Sequence, residues 1–241
     1  MTTPLPETGM PSRRGPVWGY EDLVLFIGAI LPSVALAVLL VRLTRAVAPQ
    51  IFASTAATNL SFQLFMYVFL AGALHLIIAF RHGEPFWSSL GWTLRFRGAI
   101  LSLVAGPLLA VAVSGLGVLL HTPAAPNPIQ EMIRDQQSLA IVVSFGVLAA
   151  PFFEELFFRG FLFPLFERSL GPWWGILVTA IPFGLLHGAQ NHWIWQQIAL
   201  ITLAGVVFGY VRHKTGSTAA AFLIHASFNG TEFFGFLLTR L

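Results

Sequence analysis

The chain is 241 residues long, 56% hydrophobic and only 10% charged, with a mean hydropathy of +0.77 and a net charge of +3. A soluble domain carries about 25% charged residues, so this composition excludes an ordinary globular fold and points to a polytopic membrane protein. The absence of cysteine excludes disulfides, thiolate catalysis and Cys-ligated metals, and no basic cluster alternates with aromatics as a nucleic-acid groove requires.

Met1 to Trp18 is rich in Pro, Thr and Gly and lacks a signal-peptide pattern, so residues 1–18 read as a flexible tail and 19–241 as one transmembrane helical domain. Apolar runs follow at Leu23–Val41, Asn59–Phe80, Ala99–Leu120, Leu139–Phe166, Pro172–Gly188, Trp193–Val211 and Thr218–Leu238. Each is near the roughly 20 residues a crossing needs. The expected fold is all-α, a transmembrane helix bundle of about seven spans, with a range of six to eight because the last three are closely spaced. Arg13, Arg14, Arg81, Arg95, Arg97, Arg168, Arg212 and Lys214 then fall on the N-terminal side, and Arg42, Arg45, Arg134 and Arg240 on the other. That bias predicts a cytoplasmic N-terminus.

The Arg81–Gly98 loop carries Phe86, Trp87 and Trp92 and reads as interfacial, and Thr122–Pro128, with three prolines, reads as a loop. Gly106, Ala110 and Ser114 recur at intervals of four, as do Gly205 and Gly209, the pattern of close helix-packing faces. Pro151 and Pro182 lie inside spans just ahead of ionisable residues. Each removes a helical donor, predicting a kink or restart that lines protein interior or a wet cavity.

The stretch Phe152-Phe153-Glu154-Glu155-Leu156-Phe157-Phe158-Arg159-Gly160 places two acids and a base in the most apolar part of the chain. Each ionised side chain opposes insertion by roughly 2.5–3.5 kcal/mol at mid-membrane, which marks such residues as functional. Glu155 and Arg159 are four apart with the acid first, the favoured order for a helical ion pair. Glu154 points about 100° away and has no partner in its own helix. His187 closes the fifth run, while His225 and Asn229 share a face of the seventh. At 1.5 Å per residue from the cytoplasmic helix ends, Glu154 lies at about 18 Å, His187 at roughly 22 Å, His225 at about 12 Å and Asn229 at about 18 Å. The depths are compatible with one site. A carboxylate beside a histidine can deprotonate water, and His and Asn donors can stabilise an oxyanion.

Rival chemistries narrow by counting. Asp22 and Asp135 are the only aspartates and lie outside or at the edge of the spans, which excludes an aspartyl dyad. Ser227 lacks a Gly-x-Ser-x-Gly turn. A His₂Glu zinc set of Glu154, His187 and His225 stays open, although the His-Glu-x-x-His signature is absent.

The motifs Glu154-Glu155-x-x-x-Arg159, Phe183-x-x-x-His187 and His225-x-x-x-Asn229 together resemble the CAAX protease and bacteriocin-processing (CPBP) family of intramembrane glutamic proteases. The resemblance covers about the C-terminal half. It implies that Glu154 and His187 activate water, that His225 and Asn229 form an oxyanion hole, and that Glu155 and Arg159 support the site. It also implies chemistry without a metal or other cofactor. The expected function is hydrolysis of a peptide bond in a membrane-associated protein or peptide, at a bacterial inner membrane, with the lipid bilayer and that substrate as partners. The substrate classes compatible with this are a prenylated CAAX-like tail, a bacteriocin leader and a C-terminal sorting tail. The alternative class is a non-catalytic membrane binding or bacteriocin-immunity protein of the same fold. A proton-coupled transporter would show inverted repeats, and none is present. Glu232, three residues beyond Asn229, is a further intramembrane carboxylate with no assigned role, and His75 reads as a packed residue.

Overall fold

The structure is a computed structural model that describes residues 15–50, 52, 54–123 and 131–239. Residues 1–14 of the expected tail, residues 124–128 of the expected loop, and Arg13, Arg14 and Arg240 of the charge count lie outside the described residues. Long helices form where the apolar runs predict them: α1 (Tyr20–Val47), α2 (Thr55–Arg81), α3 (Phe96–Leu119), α4 (Gln136–Leu170), α5 (Pro172–Leu186), α6 (Trp195–Thr215) and α7 (Thr218–Leu238). No strand occurs among the described residues, so the fold is an all-α bundle. Four of the helices, α1 to α4, are long and apolar enough to cross a membrane. α5 is shorter at 15 residues, and α6 and α7 have 21 each, with polar residues breaking their apolar character.

Local chemistry sets several ends. Ser54 caps α2 by accepting from the Ala57 amide, and Ser217 caps α7 by accepting from Ala220. Asp135 and Ser138 form a reciprocal capping box at the start of α4, and the Ser138 amide holds the Asp135 carboxyl below its usual range. α6 ends on Arg212, His213 and Lys214 followed by Gly216 at φ +68°, a left-handed cap that glycine adopts without strain. Ahead of α1, Arg168 donates to the carbonyls of Pro16 and Trp18, and the buried Trp18 indole donates to the Phe161 carbonyl. Arg81 pairs with Glu21 and Asp22 at the same end.

α3 shows how the bundle sits in lipid. Leu101, Val104, Leu108 and Val111 face outward, while Ser102, Gly106, Ala110 and Val113 on the opposite side are buried. Small residues inward and large apolar ones outward is the membrane arrangement, and such a belt would aggregate in water. The expected Gly106/Ala110/Ser114 face packs on α7, where a Cβ at Gly106 would stand 1.9 Å from Ser227 Oγ and 2.6 Å from the Ile224 carbonyl.

The two prolines of α4 have a shared effect. The helix widens into π turns at Phe145–Ala149 and Leu156–Leu162, and a proline follows each at the second position, Pro151 and Pro164. In the i→i+5 register the donor for the Gly146 carbonyl would be Pro151, which has no N–H, and the Ala150 amide is spent on Phe145. The Asn229 side chain fills the gap, donating to Gly146 O at 2.8 Å. In the same way Pro164 orphans the Arg159 carbonyl, the Phe163 amide goes to Phe158, and Arg212 Nε donates at 3.1 Å. The sequence expectation of a disturbed helix at Pro151 is met by a wide turn. At Pro182 the helix does not restart: α5 runs from Pro172 to Leu186 with the proline inside it.

The α3–α7 contact can be tested directly. Gly106→Val should lower the melting temperature in detergent by forcing the helices apart, an overpacking cost of about 1–3 kcal/mol or more. Gly115→Ala, on the same helix with nothing within 4 Å of its added methyl, should not lower the melting temperature.

Candidate active site

The site is built on a buried ion pair. Glu155 and Arg159 are both 0% exposed, and Arg159 Nη1 donates to Glu155 Oε1 at 2.9 Å, one turn along α4 as the spacing predicts. Arg159 Nη2 donates at 2.7 Å to the Gly205 carbonyl of α6. Its guanidinium lies over the rings of Phe183 and Phe208, 4.8 and 5.4 Å from their centroids. A Cβ at Gly205 would sit 3.2 Å from Nη2, so the glycine permits the backbone to approach.

His225 of α7 links this pair to the second glutamate. Its Nδ1 is 2.9 Å from Glu155 Oε1 and its ring stacks on Phe208. Because an ionised carboxylate only accepts, Nδ1 carries the proton. Nε2 then faces Glu154 Oε2 at 3.8 Å, too long for a direct hydrogen bond and short enough for one water to touch both groups. Glu154 is not without a partner: Tyr67 of α2 donates to its Oε1 at 3.0 Å, and Gln63 Nε2 donates to the Tyr67 hydroxyl at 2.9 Å.

His187 caps the end of α5, where its Nδ1 donates to the Phe183 carbonyl at 2.8 Å and leaves Nε2 as the basic nitrogen of the neutral ring. No carboxylate pairs with it within 4.0 Å among the described residues; the histidine in contact with the glutamates is His225. Asn229 spends one amide hydrogen on Gly146 O and retains the other.

Glu154, His187, His225 and Asn229 line one cavity of about 1130 Å³, with Tyr67, Phe183 and Phe208 also in its wall. Glu155 and Arg159 lie behind that wall. The site thus gathers four polar residues around a common space and backs them with the ion pair. Among the described residues no three His, Asp or Glu side chains are arranged to hold a metal ion. Glu232 lines the same cavity and accepts from Ser114 Oγ at 2.8 Å, while His75 packs against Phe86 outside it. Tyr67 and Gln63 were not singled out from sequence. Their signal is an i,i+4 polar pair on one face of an apolar span.

A helical membrane protein with a glutamate, two histidines and an asparagine around an internal cavity, backed by a Glu–Arg pair, is the class these features define. Comparison with known proteins narrows it. Residues 136–231 match the family model described as type II CAAX prenyl endopeptidase Rce1-like, an interval holding Glu154, Glu155, Arg159, His187, His225 and Asn229. The resemblance read from the three motifs is borne out over that interval. The uncharacterized protein YyaK of Bacillus subtilis (strain 168) is 27% identical over 174 residues, covering 68% of this chain. The match takes in 56% of that relative, so the chain spans little more than half its length. No solved structure matches.

The ion pair generates a stability prediction. Arg159→Leu leaves Glu155 buried without its cation and should cost roughly 3–5 kcal/mol, seen as lower folded yield and melting temperature. The double change Glu155→Gln with Arg159→Leu should recover much of that loss. A double variant no better folded than Arg159→Leu alone would show that the pair is not what holds these helices together.

Proposed function

We propose that this chain is an intramembrane glutamic endopeptidase of a bacterial inner membrane, with its N-terminus cytoplasmic, acting on a membrane-associated protein or peptide. The observation that carries this reading is Glu154, a carboxylate in the cavity wall held by Tyr67 and facing Nε2 of His225. Water bound between Glu154 and a histidine loses a proton to the carboxylate as its oxygen adds to the substrate carbonyl. The oxyanion accepts from Asn229 and from Nε2–H of protonated His225, whose Nδ1–H is fixed by Glu155. The proton on Glu154 then passes to the leaving nitrogen as the C–N bond breaks, giving a carboxylic acid and an amine. His187, in the same wall, is a second base for the water. Among the three substrate classes, the matching family's description favours the prenylated CAAX-like tail.

Three variants separate these roles on a peptide substrate. Glu154→Gln keeps the shape and loses the base, and should lower turnover by about 10²–10⁴. Asn229→Ala should cost about 10²–10³ in turnover and, by leaving the Gly146 carbonyl without its donor, should lower the melting temperature as well. Tyr67→Phe removes one charge-assisted hydrogen bond of about 1.5–3 kcal/mol and should slow cleavage by roughly 10- to 100-fold. Membrane peptidomics of cells with wild-type protein against Glu154→Ala identifies the substrate. Near-normal cleavage by Glu154→Gln would remove the proposal's basis. Activity should survive exhaustive chelation; loss on chelation with recovery on added zinc would favour the His₂Glu reading.

A further inference from the structure

The cavity wall holds a carboxylate that this mechanism does not use. Glu154 has Tyr67 and His225 beside it, and Glu155 has Arg159 and His225. Glu232 has only the Ser114 hydroxyl, and no Arg, Lys or His nitrogen pairs with it among the described residues. An ionised carboxylate accepts about four hydrogen bonds, and Ser114 supplies one. The side chain is exposed and lines the cavity, so what remains of its capacity is open to a ligand there.

Its position relative to the reacting centre is defined. His225, Asn229 and Glu232 follow one another at intervals of four and three on one face of α7, and all three line the cavity. Seven residues of helix carry the face about 10.5 Å from His225 to Glu232. An extended peptide covers that distance in about three residues, at roughly 3.3 Å each. Val113 and Phe233 stand in the wall at that end, apolar surface along which the stem of a long cationic side chain can lie.

We propose that Glu232, positioned by Ser114, is a specificity subsite that takes the lysine or arginine side chain of a substrate two to four residues from the scissile bond. The inference rests on the endopeptidase reading for the scissile bond, while the cation site itself does not require turnover. It also gives Glu232 the counter-charge that the protein does not supply.

The test uses the full chain in nanodiscs and a set of acylated, fluorescent decapeptides, neutral apart from one lysine moved along the sequence. Binding is measured at low salt on wild type, Glu232→Gln and Glu232→Lys, and bound peptides are then followed for cleavage. Wild type should bind the best lysine peptide about tenfold tighter than the neutral parent, with added salt eroding the difference. Glu232→Gln should bind both alike, and Glu232→Lys should prefer the matching aspartate peptide. Cleavage by wild type should fall two to four residues from the preferred lysine. Equal binding of lysine and neutral peptides by wild type, or a lysine preference that persists in Glu232→Gln, overturns the subsite. Cleavage without charge preference would leave the endopeptidase standing and the subsite refuted. A Glu232-dependent preference with no cleavage of any peptide would do the reverse.

Discussion

The Glu155–Arg159 ion pair is the constraint from which the rest of the arrangement follows. Both groups are fully removed from solvent, and such burial is sustained only where geometry and extra hydrogen bonds compensate for lost hydration. Each neighbour answers that demand. Gly205 brings its carbonyl within reach of the guanidinium, Phe183 and Phe208 lay their π faces against it, and His225 shares the carboxylate. α4, α5, α6 and α7 therefore meet at this ion pair. His225 is aimed at Glu154 as a consequence of holding Glu155.

The wide turns of α4 extend this logic to the backbone. A proline two residues into the helical segment after each π turn leaves one carbonyl without a donor, and a side chain from another helix supplies it. The exchange turns a local defect into an interhelical bond. At Gly146 the donor is Asn229, so a residue proposed for oxyanion binding is held in place by a proline on a different helix. At Arg159 the donor is Arg212, which ties the end of α6 to the middle of the ion-pair segment.

Much of this was legible in the sequence, because hydrophobic length and i,i+4 spacing are local properties. The helices fall on the seven apolar runs, the Glu155–Arg159 pair forms as its spacing requires, and the small-residue faces at Gly106 and Gly205 are close contacts. What depends on rotation and tilt between helices was not. Depth along the membrane normal placed His187 and His225 on equal terms, and only the assembled bundle puts His225 on the glutamates. Tyr67 comes from a helix about 90 residues away, with nothing in its own neighbourhood to mark it beyond Gln63. The π turns escaped notice because a proline signals a missing donor, not how the helix makes room for it.

The shortness of α5 carries a consequence for the bilayer itself. Its 15 residues span about 22 Å, well under the roughly 30 Å of a typical hydrocarbon core. Where a helix of this length lies across a bilayer, the mismatch is met by local thinning, by snorkelling of flanking residues or by association of copies. The helix ends at His187, on the cavity wall. Where thinning is the response, acyl-chain length in the surrounding membrane sets how far water must travel to reach the site, and lipid composition becomes a variable of its hydration.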